Sequence, residues 1–260
     1  MDLQLANKTA LVLAASKGLG KACALALAAE GANVVIGARN PATLDAAAKE
    51  ITALGKGQVL AVPIDVLKPE DAGKIIDAAI QKFGSLDILV NNAGGPPFGK
   101  FETFTEDNWQ SAFELTLLST IRFCRLAIPH LKKSGNGRII NITSLTVMTY
   151  LPQSVLSTSL RMGVTGMAKM LSEELGPHHI TVNNVAPGLI LTDRVKETLQ
   201  PRLGVTEEEL LAERAKTIPV GRIGKPEELA ALVTFLASPL AAYITGATIP
   251  VDGGAVRKPL

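Results

Sequence analysis

The constraint that most limits this chain is the alternation of short apolar runs with longer amphipathic stretches along nearly its whole length. Runs that fit strands lie at Thr9–Ala14, Asn33–Gly37, Val59–Pro63, Leu86–Asn91, Gly137–Thr143, Thr181–Ala186 and Thr248–Val251. Helix-length patterns fill the intervals at Gly18–Glu30, Pro41–Leu54, Pro69–Phe83, Glu106–Lys133, Val155–Leu175 and Pro226–Ser238. Such alternation predicts βαβ units, and right-handed crossovers then build a doubly wound, seven-stranded parallel sheet with helices on both faces. A sheet covered on both faces is filled by aliphatic side chains. The composition agrees, with 47% hydrophobic residues but only 4% aromatic ones. A length of 260 residues suits one α/β domain of this kind, so residues 1–260 are read as a single domain.

Several function classes recede on composition. The 26 basic and 24 acidic residues nearly cancel, and no long basic run offers a nucleic-acid footprint. Cys23 and Cys124 stand alone, without C-x-x-C or metal-ligand spacing, and read as two small buried hydrophobes in a reducing compartment. No metal is expected. The apolar run from Ala10 to Ala15 is too short for a signal segment, and no stretch approaches the length of a membrane span. A cytoplasmic protein without a membrane partner is the expectation.

One region breaks the alternation. Residues 189–224 form a long, charged insertion after the strand at Thr181–Ala186, where a ligand-covering lid would stand. Within it Thr206 is followed by Glu209, a capping-box pair that predicts a helix over Thr206–Lys216. Its cations Arg194, Lys196, Arg202 and Arg214 are interspersed with glutamates, so the lid shows no charge preference for a substrate.

The first strand runs into Ala14-Ala15-Ser16-Lys17-Gly18-Leu19-Gly20 and then an alanine-rich helix. A tight turn followed by a helix N-terminus brings backbone N–H groups against a pyrophosphate, which makes Ala14, Ser16, Lys17, Gly18, Leu19 and Gly20 dinucleotide-site candidates. At the end of the second strand, where NAD-binding folds carry a carboxylate for the ribose 2′-hydroxyl, stand Ala38 and Arg39. A guanidinium there suits a 2′-phosphate, and Lys17 would add a second cation, so NADP(H) is the expected cofactor.

Taken with the stretch GRIINITSLTVMTYLPQSVLSTSLRMGVTGMAKM and the later NNVAPG, this turn resembles the short-chain dehydrogenase/reductase family, and within it the 3-oxoacyl-acyl-carrier-protein reductases. The resemblance extends to Gly221–Glu228 and to Tyr243–Gly254, and covers nearly the whole chain. It implies a Rossmann fold and adds cofactor residues: Asp65 and Val66 at the adenine, Asn92, Ala93 and Gly94 beneath the cofactor, and Pro187, Gly188, Ile190 and Thr192 in the nicotinamide and phosphate loop. The family's first turn glycine is Ala14 here, a methyl that would crowd the turn.

The chemistry departs further. The family works with Asn, Ser, Tyr and Lys, in which Tyr donates a proton to the carbonyl, Lys lowers its pKa and grips the ribose, Ser holds the substrate oxygen and Asn supports a water relay. Aligned on Trp109, the Asn position is Thr116; Ser144 is kept; Ser157 replaces Tyr and Arg161 replaces Lys. The resemblance therefore points to an oxidoreductase acting on a carbonyl or secondary alcohol with a non-standard proton donor. An aliphatic hydroxyl is a far weaker acid than a phenol, and a guanidinium does not cycle protons. Two substitutes stay open: Ser157 ordering a proton-donating water, or Tyr150 reaching in from the loop beyond Ser144. His130, His178 and His179 fall at the far end of the sheet. Ser157 lacks a G-x-S-x-G elbow or an activating base, which argues against a hydrolase. A non-catalytic NADP(H)-binding sensor is the rival from another class. The helices at Glu106–Lys133 and Val155–Leu175 are apolar on more than one face, and in the resembled family they form dimer interfaces, so a homotetramer of two-fold symmetry is expected.

Overall fold

A computed structural model describes residues 1–54, 56–199 and 203–257. The seven strands are β1 Thr9–Leu13, β2 Asn33–Ala38, β3 Val59–Pro63, β4 Ile88–Asn91, β5 Arg138–Ile142, β6 Thr181–Pro187 and β7 Thr248–Val251. They form one sheet in the order β3-β2-β1-β4-β5-β6-β7, every pair parallel. The chain winds outward from β1 to β3, then returns to β4 on the other side of β1. That reversal opens a crevice at the carboxyl ends of β1 and β4, where ligands of such sheets bind.

The helices are α1 Gly18–Ala29, α2 Pro41–Thr52, α3 Pro69–Phe83, α4 Glu106–Phe113, α5 Ser119–Ser134, α6 Val155–Leu175, α7 Asp193–Glu197, α8 Glu207–Ala215 and α9 Pro226–Ala237. Successive strand residues face opposite sides, and each side has its own core. Ala10, Val12, Val34, Ile36, Ile88 and Val90 pack with Leu27 of α1, Leu44 of α2 and Val233 of α9. Leu11, Leu13, Val35, Leu89 and Ile139 pack with Ile75 of α3, Phe123 of α5 and Ala168 of α6. Both cysteines are buried and unpaired with each other, and burial pushes each thiol up to about 12.

Two differences from the sequence expectation matter. The strand expected to reach Ala14 ends at Leu13, because Ala14 takes the left-handed φ of 49°. The helix expected over Glu106–Lys133 is divided by a π-helical turn at Glu114–Leu118, which carries Thr116. Such turns widen the backbone ladder and often mark functional positions. The capping box that Thr206 and Glu209 predict is present at the start of α8.

Candidate active site

The turn after β1 is built by close approach. A Cβ at Gly20 would stand 2.4 Å from the Ala14 carbonyl oxygen and 2.8 Å from Asn92 Nδ2, so position 20 admits only glycine without a shift. Asn92 Nδ2 donates to the Leu13 carbonyl at 3.3 Å and ties β4 to β1 across the crevice. α1 then opens at Gly18 with no acidic residue in its first turn and no side chain capping its N–H groups. Uncapped donors at the positive end of the helix dipole suit a pyrophosphate. Thr192 closes the other side: a Cβ at Gly18 would lie 3.6 Å from its Cγ2. Ile190 is buried, and Gly188 N–H donates to the Val251 carbonyl at 2.9 Å. Ala14, Ser16, Lys17, Gly18, Leu19, Gly20, Asn92, Ala93, Gly94, Pro187, Gly188, Ile190 and Thr192 thus gather at the carboxyl ends of β1, β4 and β6.

Arg39 directly follows β2 and is exposed; Lys17 follows the neighbouring β1, whose Leu13 is in register with Gly37. Lys17 Nζ lies 3.7 Å from Asp193 Oδ2, with both side chains about two-thirds exposed. Such a solvated pair contributes about 0–1 kcal/mol and is readily given up to a better anion. After β3, Asp65 Oδ1 accepts from Leu67 N–H at 3.1 Å, shaping the turn in which Val66 is half-buried.

The four tetrad positions lie beside this cradle. Ser144 follows β5, and its Oγ accepts from Thr146 N–H at 3.3 Å. Ser157 sits in the first turn of α6, half-buried, and its hydroxyl bonds no other described residue. One turn on, Arg161 points inward and Nη1 donates to the Ile142 carbonyl at 2.9 Å. Burial pushes its guanidinium down to about 10, with no carboxylate opposing the shift. α6 can press against the π-helical turn because residue 163 is glycine, where a Cβ would meet Leu117 Cδ2 at 2.8 Å. That approach brings Arg161 and Thr116 to the same cavity, of about 10 Å³, lined also by Asn91, Asn92 and Ala93. Tyr150 is 84% exposed, so its ring stands in solvent apart from this cluster.

Sequence reasoning missed the polar chain behind the cluster. Asn91, Asn141 and Asn184 occupy matching positions on β4, β5 and β6. Their trace in the sequence is one asparagine from each of the segments LVNN, IINI and NNVAP, whose alignment only strand register supplies.

In the insertion expected at 189–224, α7 and α8 follow the carboxyl end of β6. Arg194 Nη2 donates to the Pro96 carbonyl at 3.2 Å, and Arg214 donates to Thr198 Oγ1 at 3.0 Å. Lys196 Nζ pairs with Glu207 at 2.9 Å. Arg202 lies outside the described residues. Among the described residues, no group of three or more His, Cys, Asp or Glu is arranged to hold a metal, and no helix is long and apolar enough to cross a membrane.

Comparison with known proteins agrees with this geometry. Residues 13–256 match the family model described as "Enoyl-(Acyl carrier protein) reductase". The chain is 39% identical over 255 residues to the 3-oxoacyl-[acyl-carrier-protein] reductase of Synechocystis sp., covering 97% of this chain and 98% of the relative. Among solved structures, L-sorbose reductase from Gluconobacter frateurii, complexed with NADPH and L-sorbose, superposes with a TM-score of 0.95 at 31% identity over 100% of both chains. A 7α-hydroxysteroid dehydrogenase complexed with NADH superposes with a TM-score of 0.90 at 31% identity, over 99% of this chain and 97% of that one. A single Rossmann-type α/β domain, a match along nearly its whole length and relatives of this kind place the chain in the short-chain dehydrogenase/reductase family.

Proposed function

We propose that the protein is an NADP(H)-dependent oxidoreductase that reduces a carbonyl, or oxidises the matching secondary alcohol, with a 3-oxoacyl-like compound as the leading substrate class. The observation that carries this reading is the adjacency of two sets of groups. The uncapped start of α1 and the positions Ser144, Ser157, Arg161 and Thr116 stand at one edge of one sheet. The cradle fits a dinucleotide: the Gly20 contact leaves no room for a side chain, and the α1 N–H groups face the crevice without a cap. Arg39 and Lys17 would take the 2′-phosphate through charge-assisted hydrogen bonds, favouring NADP(H) over NAD(H). Bound NADPH would supply the hydride.

The protein's own part is orientation and proton supply. Ser144 would hold the carbonyl oxygen by its hydroxyl. Ser157 is too weak an acid to give up its own proton readily, so it would order a water that does. Arg161 would provide fixed positive charge behind the nicotinamide ribose. The kept serine beside the cradle favours a carbonyl over an enoyl substrate. Leu126, Met162 and Met170 are exposed apolar side chains on α5 and α6, and a two-fold-symmetric homotetramer would bury them.

Turnover with NADPH is tested against a 3-oxoacyl thioester, a diketone, a ketose and an enoyl thioester. Slow reduction of a carbonyl is expected, lost on Ser157→Ala and raised by Ser157→Tyr with Arg161→Lys. General acid catalysis contributes about 10²–10⁴-fold, so partial rescue is measurable. A protein that binds NADPH but turns over nothing, with no rescue by the double substitution, is a sensor and not a reductase.

A further inference from the structure

The two cations that would take the 2′-phosphate stand differently. Arg39 is exposed at the end of β2 and makes no ion pair with another described residue. Lys17 has a partner, since its Nζ lies 3.7 Å from Asp193 Oδ2. Asp193 opens α7, directly after the cap Thr192, whose Oγ1 accepts from Val195 N–H at 3.4 Å. The cations of α7 have other carboxylates: Arg194 pairs with Glu197 at 3.7 Å and Lys196 with Glu207 at 2.9 Å. Among the described residues, Asp193 forms its ion pair with Lys17.

Sheet order sets two claims on Lys17 in opposite directions. β2, which carries Arg39 at its end, lies on one side of β1. On the other side lie β4, β5 and β6, the last of which leads into α7. Lys17 stands in the turn between β1 and α1, and its ammonium is drawn towards the residue arriving from the β6 side. A compact charge on a single flexible stem serves one such partner at a time. The start of α7 does not follow it across, because neighbouring residues anchor it. Leu191 N–H donates to the Gly224 carbonyl at 2.8 Å, and Arg194 Nη2 to the Pro96 carbonyl at 3.2 Å. Thr192 Cγ2 would stand 3.6 Å from a Cβ at Gly18.

We propose that Asp193 is a specificity-determining residue that competes with the 2′-phosphate of NADP(H) for Lys17. It holds the preference for NADP(H) over NAD(H) below what Arg39 and Lys17 would give unopposed. The proposal rests on the reading of these two cations as the 2′-phosphate partners. NAD(H) carries a hydroxyl at that position, makes no demand on the Lys17 charge and leaves the pair with Asp193 intact. Removing the carboxylate charge therefore acts on one cofactor and not on the other. A residue that only shaped the start of α7 would affect both.

Calorimetric titration of the full chain with NADPH and with NADH tests this in the parent, Asp193→Asn, Lys17→Met and the double variant. Asp193→Asn is expected to tighten NADPH binding about two- to fivefold, the scale of an exposed ion pair, and to leave NADH binding unchanged. Lys17→Met is expected to weaken NADPH alone, and in its background Asp193→Asn should no longer tighten anything. Equal effects of Asp193→Asn on both cofactors, or a gain that persists without Lys17, overturn the proposal. Unchanged or weaker NADPH binding in Asp193→Asn overturns it too, because the carboxylate would then be idle or would be orienting Lys17 for the phosphate. Failure of the underlying reading looks different. A parent that binds both cofactors alike, with neither Lys17→Met nor Arg39→Ala changing that, has no 2′-phosphate site, and the competition falls with it.

Discussion

The two ends of the sheet treat buried polar groups differently. At the amino end, Asp87 is 6% exposed, and its carboxylate accepts from Thr9 N–H at 2.9 Å and Ser85 Oγ at 3.0 Å, with Lys8 at 3.6 Å. Among the described residues, Asn91, Thr116, Thr146 and Arg161 at the carboxyl end each carry a buried atom without a partner in the protein, whereas only Arg138 does so at the amino end. The amino end is finished by its own chain. The carboxyl end is left open to something that is not protein, and unpartnered groups collect where a fold keeps chemistry. The strained turn belongs to the same end, since Ala14 holds φ at 49° at the mouth of the crevice.

The largest effect that would sharpen this contrast is expected at Gly20. A methyl there meets the Ala14 carbonyl oxygen at 2.4 Å, and backbone cannot step aside as a side chain does. Overpacking costs about 1–3 kcal/mol, so Gly20→Ala should weaken NADPH binding roughly ten- to hundredfold. Calorimetric titration measures it. Unchanged affinity would mean that the turn is not part of the cofactor cradle.

Two buried arginines offer the next comparison. Arg138 is 1% exposed, with Nε donating to the Ser238 carbonyl at 3.3 Å and Nη1 to the Gly137 carbonyl at 2.9 Å. Burial lowers the pKa of both guanidiniums. Arg138→Met should cost about 1–3 kcal/mol of stability through the lost charge-assisted bonds to the Ser238 and Gly137 carbonyls, and leave NADPH binding unchanged. Arg161→Met should do the opposite, with a clear loss of NADPH affinity and little change in melting temperature. If both lose stability alike and neither affects the cofactor, the two ends are equivalent and the contrast fails.

The sheet was legible in the sequence because its signal is periodic: both cores are alternate residues of the same apolar runs, such as Leu11 and Leu13 against Ala10 and Val12. The cradle was legible because close backbone approach demands glycine at particular spacings, as at Gly18 and Gly20. The inward turn of Arg161 was not. Its direction is set by the Ile142 carbonyl and by a π-helical turn that Gly163 allows α6 to approach. Neither leaves a periodic trace. The asparagine ladder escaped for a related reason, since Asn91, Asn141 and Asn184 are far apart in the chain and meet only through strand register.

Ala14→Gly probes the strained turn with a smaller change. A Cβ in the left-handed region costs about 1–2 kcal/mol, while glycine loses roughly 0.5–1 kcal/mol of chain entropy. The variant should gain about 0.5–1 kcal/mol or less in stability by denaturant melt, with NADPH affinity equal or slightly tighter. A marked loss of affinity would show that the methyl itself contacts the cofactor.

The smallest effect is expected at the exposed rim of the same end, where pairing is complete and water competes with it. Glu228 accepts from Arg222 Nη1 at 2.8 Å and Nη2 at 2.6 Å, and from Lys225 N–H at 2.7 Å, closing the insertion onto the start of α9. The bond from Arg222, then that from Lys225, holds its carboxyl down from 4.5 to about 2. A carboxylate with a depressed folded pKa stabilises the fold above its unfolded value and loses that contribution as pH falls through the folded one. The contribution is therefore whole above pH 4.5 and fades towards pH 2. Glu228→Gln should leave a slightly lower melting temperature near neutrality, and the gap to the parent should narrow over that acid window. A gap that stays constant across it would place the stabilising role in the shape of the side chain and not in its charge.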